Sequence, residues 1–468
     1  MNRPPLKRVL KRVFPAIHVF ALFCCVFSRN GFAAPANDRL VVLISVDGLA
    51  SYFLDDPKAN LPTLRKLAAE GARAERMRAS VPTVTWPNHT TLVTGVSPGK
   101  HGVLANTYWD RSKASVVPLI PDPIFNKDEI VKVSTIYDAA KGAGLKTGAI
   151  IWPASRGAKT LDWTVPDCGT NALWEAHSTP SLLAEFREAK IPYEKQEEWC
   201  KMPGGGIPRD RMYAQMTAHV IEKHRPNLML LHLVEVDHVN HQKGPRSAES
   251  YEAVAFADEM VKQVFEAANA AFPGKLTFIV TSDHGFIPYQ QVIQPNVLLK
   301  QEGLVQLQGT KVVSRDAWAL GQFVYVLDSA RRSDLVKSIG EKLRKVEGVE
   351  SVIEEKDFAK HGLVSQEVDP RMPNLIFHPK DGYSTSDSVM GEGVVTEKSI
   401  EVKGAHGHDP AHALMHASFI AWGNGIRKGA RAEQVSNLDV TPTIARLLGV
   451  EMKGLEGRVL EEFLGQGK

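Results

Sequence analysis

Three aspartates each close an apolar run: LVVLISVD ends on Asp47, LMLLHLVEVD on Asp237 and LTFIVTSD on Asp283. Imidazoles stand beside two of them, since His241 lies four residues past Asp237 and His284 follows Asp283 directly. A further histidine, His406, sits in GAHGH between small residues. Carboxylate and neutral imidazole without thiolate suit zinc, with manganese or another divalent ion as the alternative. Counting donors places Asp47, Asp283 and His284 around one ion, with the Thr85 hydroxyl as its fourth ligand. Asp237, His241 and His406 then surround a second. Three protein ligands leave a position open, as a catalytic ion needs. Two ions about 4 Å apart can clamp the attacking and leaving oxygens of an in-line displacement at phosphorus.

Thr85 is the candidate nucleophile. It stands in VPTVTWPNHTTLVTG, just before a helix start marked by Pro87, where backbone N–H groups and the helix dipole favour an anion. In isolation such a threonine is an ordinary helix cap; the acids and imidazoles around it raise it to a candidate. A free threonine hydroxyl is too weak an acid to attack at neutral pH, and coordination to a dication lowers its pKa by several units. The expected course is a phospho-threonine, then hydrolysis by water activated on the second ion. Asn106, shortly after His101 and Gly102, could donate its amide to a non-bridging phosphate oxygen; its bland alternative is a turn asparagine. His238, His408, His412 and His416 complete no ligand set and are expected to be structural or solvated.

These residues need a frame that brings strand ends to one place. The β-branched run Leu40 to Val46, then Thr147 to Trp152, Leu228 to Val236, Leu276 to Ser282 and Ala417 to Trp422 read as strands. Helices such as Leu61 to Glu70, Ala248 to Ala271 and Asp439 to Gly449 fall between or after them. Strands alternating with helices predict an α/β fold: a three-layer sandwich, its mostly parallel central sheet covered on both faces. The carboxyl ends of parallel strands share one edge, where ligands bind. The pattern loosens over residues 156–208 and again over 287–403, and both are expected to be insertions, the second a small lobe of strands and one helix over the crevice.

The first 36 residues stand apart. Arg3, Lys7, Arg8, Lys11 and Arg12 precede an apolar run and small residues at Ala33, Ala34 and Ala36, the pattern of an export signal cleaved after Ala36. The run is short for a membrane span. The catalytic domain is therefore expected over residues 37–468, periplasmic or secreted, with no stable membrane span after cleavage. The leader holds six Lys and Arg and no acid, so the mature chain carries 50 basic against 53 acidic residues, a net of −3. That leaves no surface excess of positive charge for nucleic acid. Cys168 and Cys200 remain, either as one loop-closing disulfide or as two thiols.

In order along the chain, VVLISVDG, PTVTWPNHTTLVTG, HGVLAN, the Asp237 and His241 pair, SDHG and GAHGHDP resemble the nucleotide pyrophosphatase/phosphodiesterase family of the alkaline phosphatase superfamily. The resemblance runs from about residue 40 to residue 450. It implies an alkaline phosphatase-like core, two zinc ions, a threonine nucleophile at Thr85, an oxyanion-binding Asn106 and a small phosphodiester or nucleotide substrate. Trp152-Pro153-Ala154-Ser155 is similar to that family's Trp-Pro-Gly-Ser. Where its nucleotide binders carry phenylalanine after the threonine, this chain has Trp86, whose ring could stack on a base. Arg156 could fork onto terminal phosphate oxygens, although Ala154 stands where related monoesterases have a lysine. A phosphomonoesterase and a phosphonate hydrolase are the rival enzymes on the same site, and a non-catalytic binding protein is the rival outside enzymology.

Overall fold

Every residue of Leu40–Val46 (β1) is buried in the computed structural model. Neighbours on a strand point to opposite faces, so the run can be apolar throughout only if both faces are covered. Leu40, Val42, Ile44 and Val46 feed one core, and Val41 and Leu43 feed another. The structure describes residue 1 and residues 38–120 and 124–465. The apolar run and cleavage site of the expected export leader lie outside the described residues.

Around β1 the central sheet gathers Ala72–Arg78 (β2), Thr147–Trp152 (β3), Trp163–Pro166 (β4), Leu228–Leu233 (β5), Leu276–Thr281 (β6), Ala417–Gly423 (β7) and Ala430–Ser436 (β8). Their order across the sheet is β8-β2-β7-β6-β1-β5-β3-β4. Every neighbouring pair is parallel except the two made by β7. Helices Gly206–His224 and Ala248–Ala271 cover one face through residues such as Met216, Val254 and Val261. Helices Thr85–Thr94, Ile136–Gly142 and Val440–Leu448 cover the other through Leu92, Ile136 and Ile444. This is the three-layer, mostly parallel sandwich that the strand and helix alternation predicts. Among the described residues no helix is long and apolar enough to cross a membrane.

Residues 156–208, expected as an insertion, join the main sheet and its core. Trp163–Pro166 pairs with β3 as the outermost strand of the sheet, and Val165, Cys168, Trp174, Leu182 and Phe186 belong to the main core. A four-residue edge strand carries too little periodicity to be read from the sequence. Within residues 287–403 a further hydrophobic cluster gathers Ile293, Leu299, Val324 and Phe377. Strands Ala317–Leu320, Phe323–Val326, Leu375–Pro379 and Val349–Glu354 form an antiparallel sheet, and helix Arg332–Leu343 packs on it through Leu335, Ile339 and Leu343.

One buried imidazole beside helix Thr85–Thr94 makes a pH test of the packing there. His101 is fully buried; its Nδ1 accepts the Val103 N–H at 3.1 Å, so the ring is neutral and Nε2–H donates to Thr91 Oγ1 at 3.1 Å. Burial holds it down at about 3, against roughly 6.5 in an unfolded chain. Between those values the unfolded chain takes up a proton that the folded chain refuses. The contribution is therefore full above about pH 6.5 and is lost as pH falls, with a limiting slope of about 1.4 kcal/mol per pH unit. His101→Gln keeps one donor and one acceptor but cannot titrate. Urea unfolding from pH 7.5 to pH 4.5 is expected to give a flatter stability curve for this variant than for the native chain; parallel curves would contradict the assignment.

Candidate active site at the carboxyl edge of the sheet

The sheet delivers its strand-end acids to one place. Asp47, just past β1, Asp283, just past β6, and His284 have ligand atoms within 4.8 Å of one another, and so do Asp237, His284 and His406. His284 faces both groups: its Nε2 lies 3.0 Å from Asp283 Oδ2 and 3.5 Å from Asp47 Oδ1. On the other side, Asp237 Oδ1 lies 3.5 Å from His241 Nε2 and 3.7 Å from His406 Nε2. The His284 and His406 rings stack at 3.8 Å between centroids.

The backbone fixes how each imidazole presents itself. Nδ1–H of His241 donates to the Gly404 carbonyl at 3.1 Å, that of His406 to the Thr83 carbonyl at 2.9 Å and that of His284 to the Gly285 carbonyl at 3.2 Å. Each ring thereby turns the Nε2 lone pair toward the acids, the orientation that carbonyls impose on histidine ligands. Asp283 is held in turn: its Oδ1 accepts the Gly48 N–H at 3.1 Å. Gly48 sits at φ +68°, and a Cβ there would meet the Phe286 ring at 2.7 Å, so only glycine allows this approach.

What remains is a set of buried atoms with no hydrogen-bond partner. Asp47 Oδ1, Asp237 Oδ1, Asp283 Oδ2 and His284 Nε2 are all in this condition, which buried polar atoms rarely tolerate. Burial first, then the carboxylates of Asp283 and Asp237, push Asp47 well above the ordinary carboxylate range. Burial would raise Asp283 as well, but the His284 imidazole, followed by His89, overcomes it and holds this acid low. Burial and then the neighbouring rings of His284 and His241 keep His406 far below its usual value, hence neutral. Acids whose unpartnered oxygens converge on Nε2 of His284, His241 and His406 fit divalent cations, and the donor set of oxygen and nitrogen suits zinc or manganese.

Thr85 opens helix Thr85–Thr94, follows the extended Val84 and is 7% exposed. It lines a cavity of about 220 Å³ together with Asp47 and Asp237. The loop before it is clamped by Asn88, which accepts the Ser80 N–H at 2.8 Å and donates to the carbonyls of Pro82 and Val84 at 2.8 and 2.9 Å. Thr83 Oγ1 donates to the His408 carbonyl at 2.7 Å, tying this loop to the one that carries His406. Asn106 Oδ1 accepts the Trp86 N–H at 2.9 Å, which leaves the amide NH2 as its donor end.

A family model described as type I phosphodiesterase / nucleotide pyrophosphatase matches residues 41–409. The chain belongs to that family. It is 24% identical over 436 residues to human ectonucleotide pyrophosphatase/phosphodiesterase family member 1, covering 90% of this chain and 40% of the human one. To a Schizosaccharomyces pombe pyrophosphatase/phosphodiesterase it is 25% identical over 423 residues, covering 87% of this chain and 76% of the yeast one. The chain thus spans less than half the length of the human relative. Among solved structures, murine ectonucleotide pyrophosphatase / phosphodiesterase 5 superposes with a TM-score of 0.66 at 20% identity, covering 91% of this chain and all of the other. An inactive threonine-to-alanine variant of that murine protein has been solved in complex with AMP. Alkaline phosphatase PafA superposes with a TM-score of 0.70 at 16% identity, covering 92% of this chain and all of its own. At these identities the superpositions establish the fold, which is alkaline phosphatase-like.

For this member of the family, some expected contributors sit elsewhere. Trp86 is 1% exposed and packs among Val103, Tyr108, Leu119 and Ile130, so its ring offers no open face to a base. The stacking expectation is corrected on that ground: the residue after Thr85 turns into the core. Arg156 is half-buried, and it is not among the residues lining the Thr85 cavity. Cys168 and Cys200 both line that cavity and are not bridged. Two imidazoles that sequence reasoning did not single out stand directly behind the acids. His232 Nε2 lies 2.9 Å from Asp47 Oδ2, and His89 Nδ1 lies 3.7 Å from Asp283 Oδ2 while donating to the Thr85 carbonyl at 2.9 Å. The available signal for His232 was a lone polar residue inside the fully buried strand LMLLHL.

Proposed function

We propose that the chain hydrolyses phosphodiester or pyrophosphate bonds of small nucleotide-type substrates through a covalent phospho-threonine at Thr85. The observation that carries this reading is the convergence, beside Thr85, of buried and unpartnered oxygens of Asp47, Asp237 and Asp283 with Nε2 of His284. Asp47, Asp283, His284 and Thr85 would hold one divalent ion, and Asp237, His241 and His406 a second, zinc being the first choice and manganese the alternative. When bound, such ions lower the pKa of a hydroxyl ligand and offset negative charge gathering on phosphorus.

The chain's own residues supply the rest. Thr85 Oγ attacks phosphorus, and the Oγ–P bond forms as the bond from phosphorus to the leaving oxygen breaks. Water then cleaves the Oγ–P bond and restores the hydroxyl. Asn106, its Oδ1 fixed by the Trp86 N–H, turns its NH2 to a non-bridging oxygen, where charge grows in the transition state. Membership of the type I phosphodiesterase / nucleotide pyrophosphatase family supports this reaction class. The inactivity of the murine threonine-to-alanine variant favours the same residue type as nucleophile here.

The phosphomonoesterase alternative leaned on Arg156, which does not line the Thr85 cavity. Rates on p-nitrophenyl thymidine monophosphate and on p-nitrophenyl phosphate separate the two readings. We expect kcat/KM to favour the diester by at least about 100-fold, a transition-state difference of roughly 2.7 kcal/mol. Equal rates, or a preference for the monoester, would overturn the diesterase assignment.

A further inference from the structure

His232 is the one polar residue of β5, a strand buried at every position, and an imidazole without partners there would be costly. Both ring nitrogens have oxygen partners: Nε2 lies 2.9 Å from Asp47 Oδ2, and Nδ1 lies 3.2 Å from the Ile151 carbonyl. A carbonyl can only accept, so Nδ1 carries a proton and Nε2 is the nitrogen left for Asp47. The register of the sheet explains the contact. His232 stands opposite Ser45 across β1 and β5, and Asp47 follows Ser45 by two positions, on the same side of the sheet.

An irregular backbone brings the Ile151 carbonyl to the ring. β3 pairs with β5 as far as Ile150 opposite Leu231, and its register against β4 shifts between Ile150 and Trp152. Ile151 itself sits at φ +56°, in the left-handed region that a β-branched residue rarely adopts, and such outliers gather at functional sites. The bulge takes Ile151 out of the ladder beside His232 and gives its carbonyl to the ring instead. The His89 ring packs against that of His232 at 4.3 Å between centroids.

Asp47 is thereby divided. Its Oδ2 is committed to His232, while its Oδ1 is buried, has no hydrogen-bond partner and lies 3.5 Å from His284 Nε2. A carboxylate free to pivot could give a cation both oxygens or turn away from it; this one can offer Oδ1 alone. His232 also borders the Thr85 cavity, but with both nitrogens engaged it keeps no polar atom for a substrate. Resting on the cation-binding part of the reading above, we propose that His232 is a positioning residue: held by the Ile151 carbonyl, it fixes Asp47 so that only Oδ1 ligates the cation shared with Asp283 and His284. Outer partners of this kind set metal affinity by about 10- to 100-fold.

Two substitutions separate the ring's contacts. In His232→Asn the amide nitrogen stands as many bonds from Cβ as Nδ1 does, so it can keep the Ile151 contact but cannot reach Asp47. In His232→Gln it stands as many bonds from Cβ as Nε2 does, so it can donate to Asp47 Oδ2 without the Ile151 contact. The measurement is the equilibrium transfer of zinc from the full-length, zinc-loaded protein to a chromogenic chelator. His232→Asn is expected to hold one of its two zinc equivalents at least about tenfold more weakly than the native chain, and His232→Gln to recover most of that loss. Native affinity in His232→Asn, or equal weakening in both variants, would overturn the proposal and leave the cation reading standing. If circular dichroism shows His232→Asn to be unfolded, His232→Phe, which keeps a ring but no donor, decides by the same measurement. A native chain that takes up neither zinc nor manganese overturns the cation reading, and the proposal with it.

Discussion

Thr85→Ala is expected to lower kcat/KM for a nucleotide diester by at least about 10⁴-fold, roughly 5.4 kcal/mol of transition-state stabilisation. The residue is the first of its helix and opens onto the cavity bounded by Asp47 and Asp237. Loss of the hydroxyl, together with the Cγ methyl, removes the attacking atom and one candidate ligand but no charged donor. The helix start is kept by Pro87 and by the Asn88 clamp on the carbonyls of Pro82 and Val84. Circular dichroism and metal content are therefore expected to stay close to those of the native chain, while turnover disappears. A loss below tenfold would show that another group attacks phosphorus.

Strand-end chemistry was the most legible part of the chain. Asp47 and Asp283 could be placed together because β1 and β6 are apolar runs that lie side by side in parallel register, Leu40 opposite Leu276 through Ser45 opposite Thr281. Asp237 was legible for a related reason, although its strand stops at Leu233 and the acid rides the first turn of helix Glu235–Lys243. Asp210 accounts for that switch: its carboxylate accepts the N–H groups of Val234 at 2.9 Å and Glu235 at 3.0 Å, starting the helix where the apolar run alone suggested more strand.

Long-range pairing was not legible. Nothing in Trp86 distinguishes an open aromatic from one packed under Val103 and Tyr108, because burial of a single side chain is decided by residues more than ten positions away. The same holds for Arg156, whose place outside the lining of the Thr85 cavity is decided by tertiary packing. Strand Ala72–Arg78, second from the edge of the sheet, was missed because ARAERMR alternates small or apolar residues with charges and has no continuous apolar run.

Asp283→Asn is the second change with a large expected effect, because it attacks the charge balance of the cluster. Asp283 is fully buried, with Oδ1 accepting the Gly48 N–H and Oδ2 facing His284 Nε2 at 3.0 Å. An asparagine keeps the shape and one acceptor but removes the negative charge, and its NH2 must meet either the Gly48 N–H or the cation that His284 would share. We expect activity to fall at least about 10⁴-fold, with loss of metal from the group of Asp47, Asp283 and His284.

The account stands on the claim that these acids and imidazoles hold a pair of divalent cations against Thr85. Elemental analysis of the purified, dialysed native chain and of Asp283→Asn measures this directly. The account predicts two equivalents per chain in the native protein and one or none in the variant; an active native protein without divalent metal, or a variant keeping two full equivalents, would contradict it.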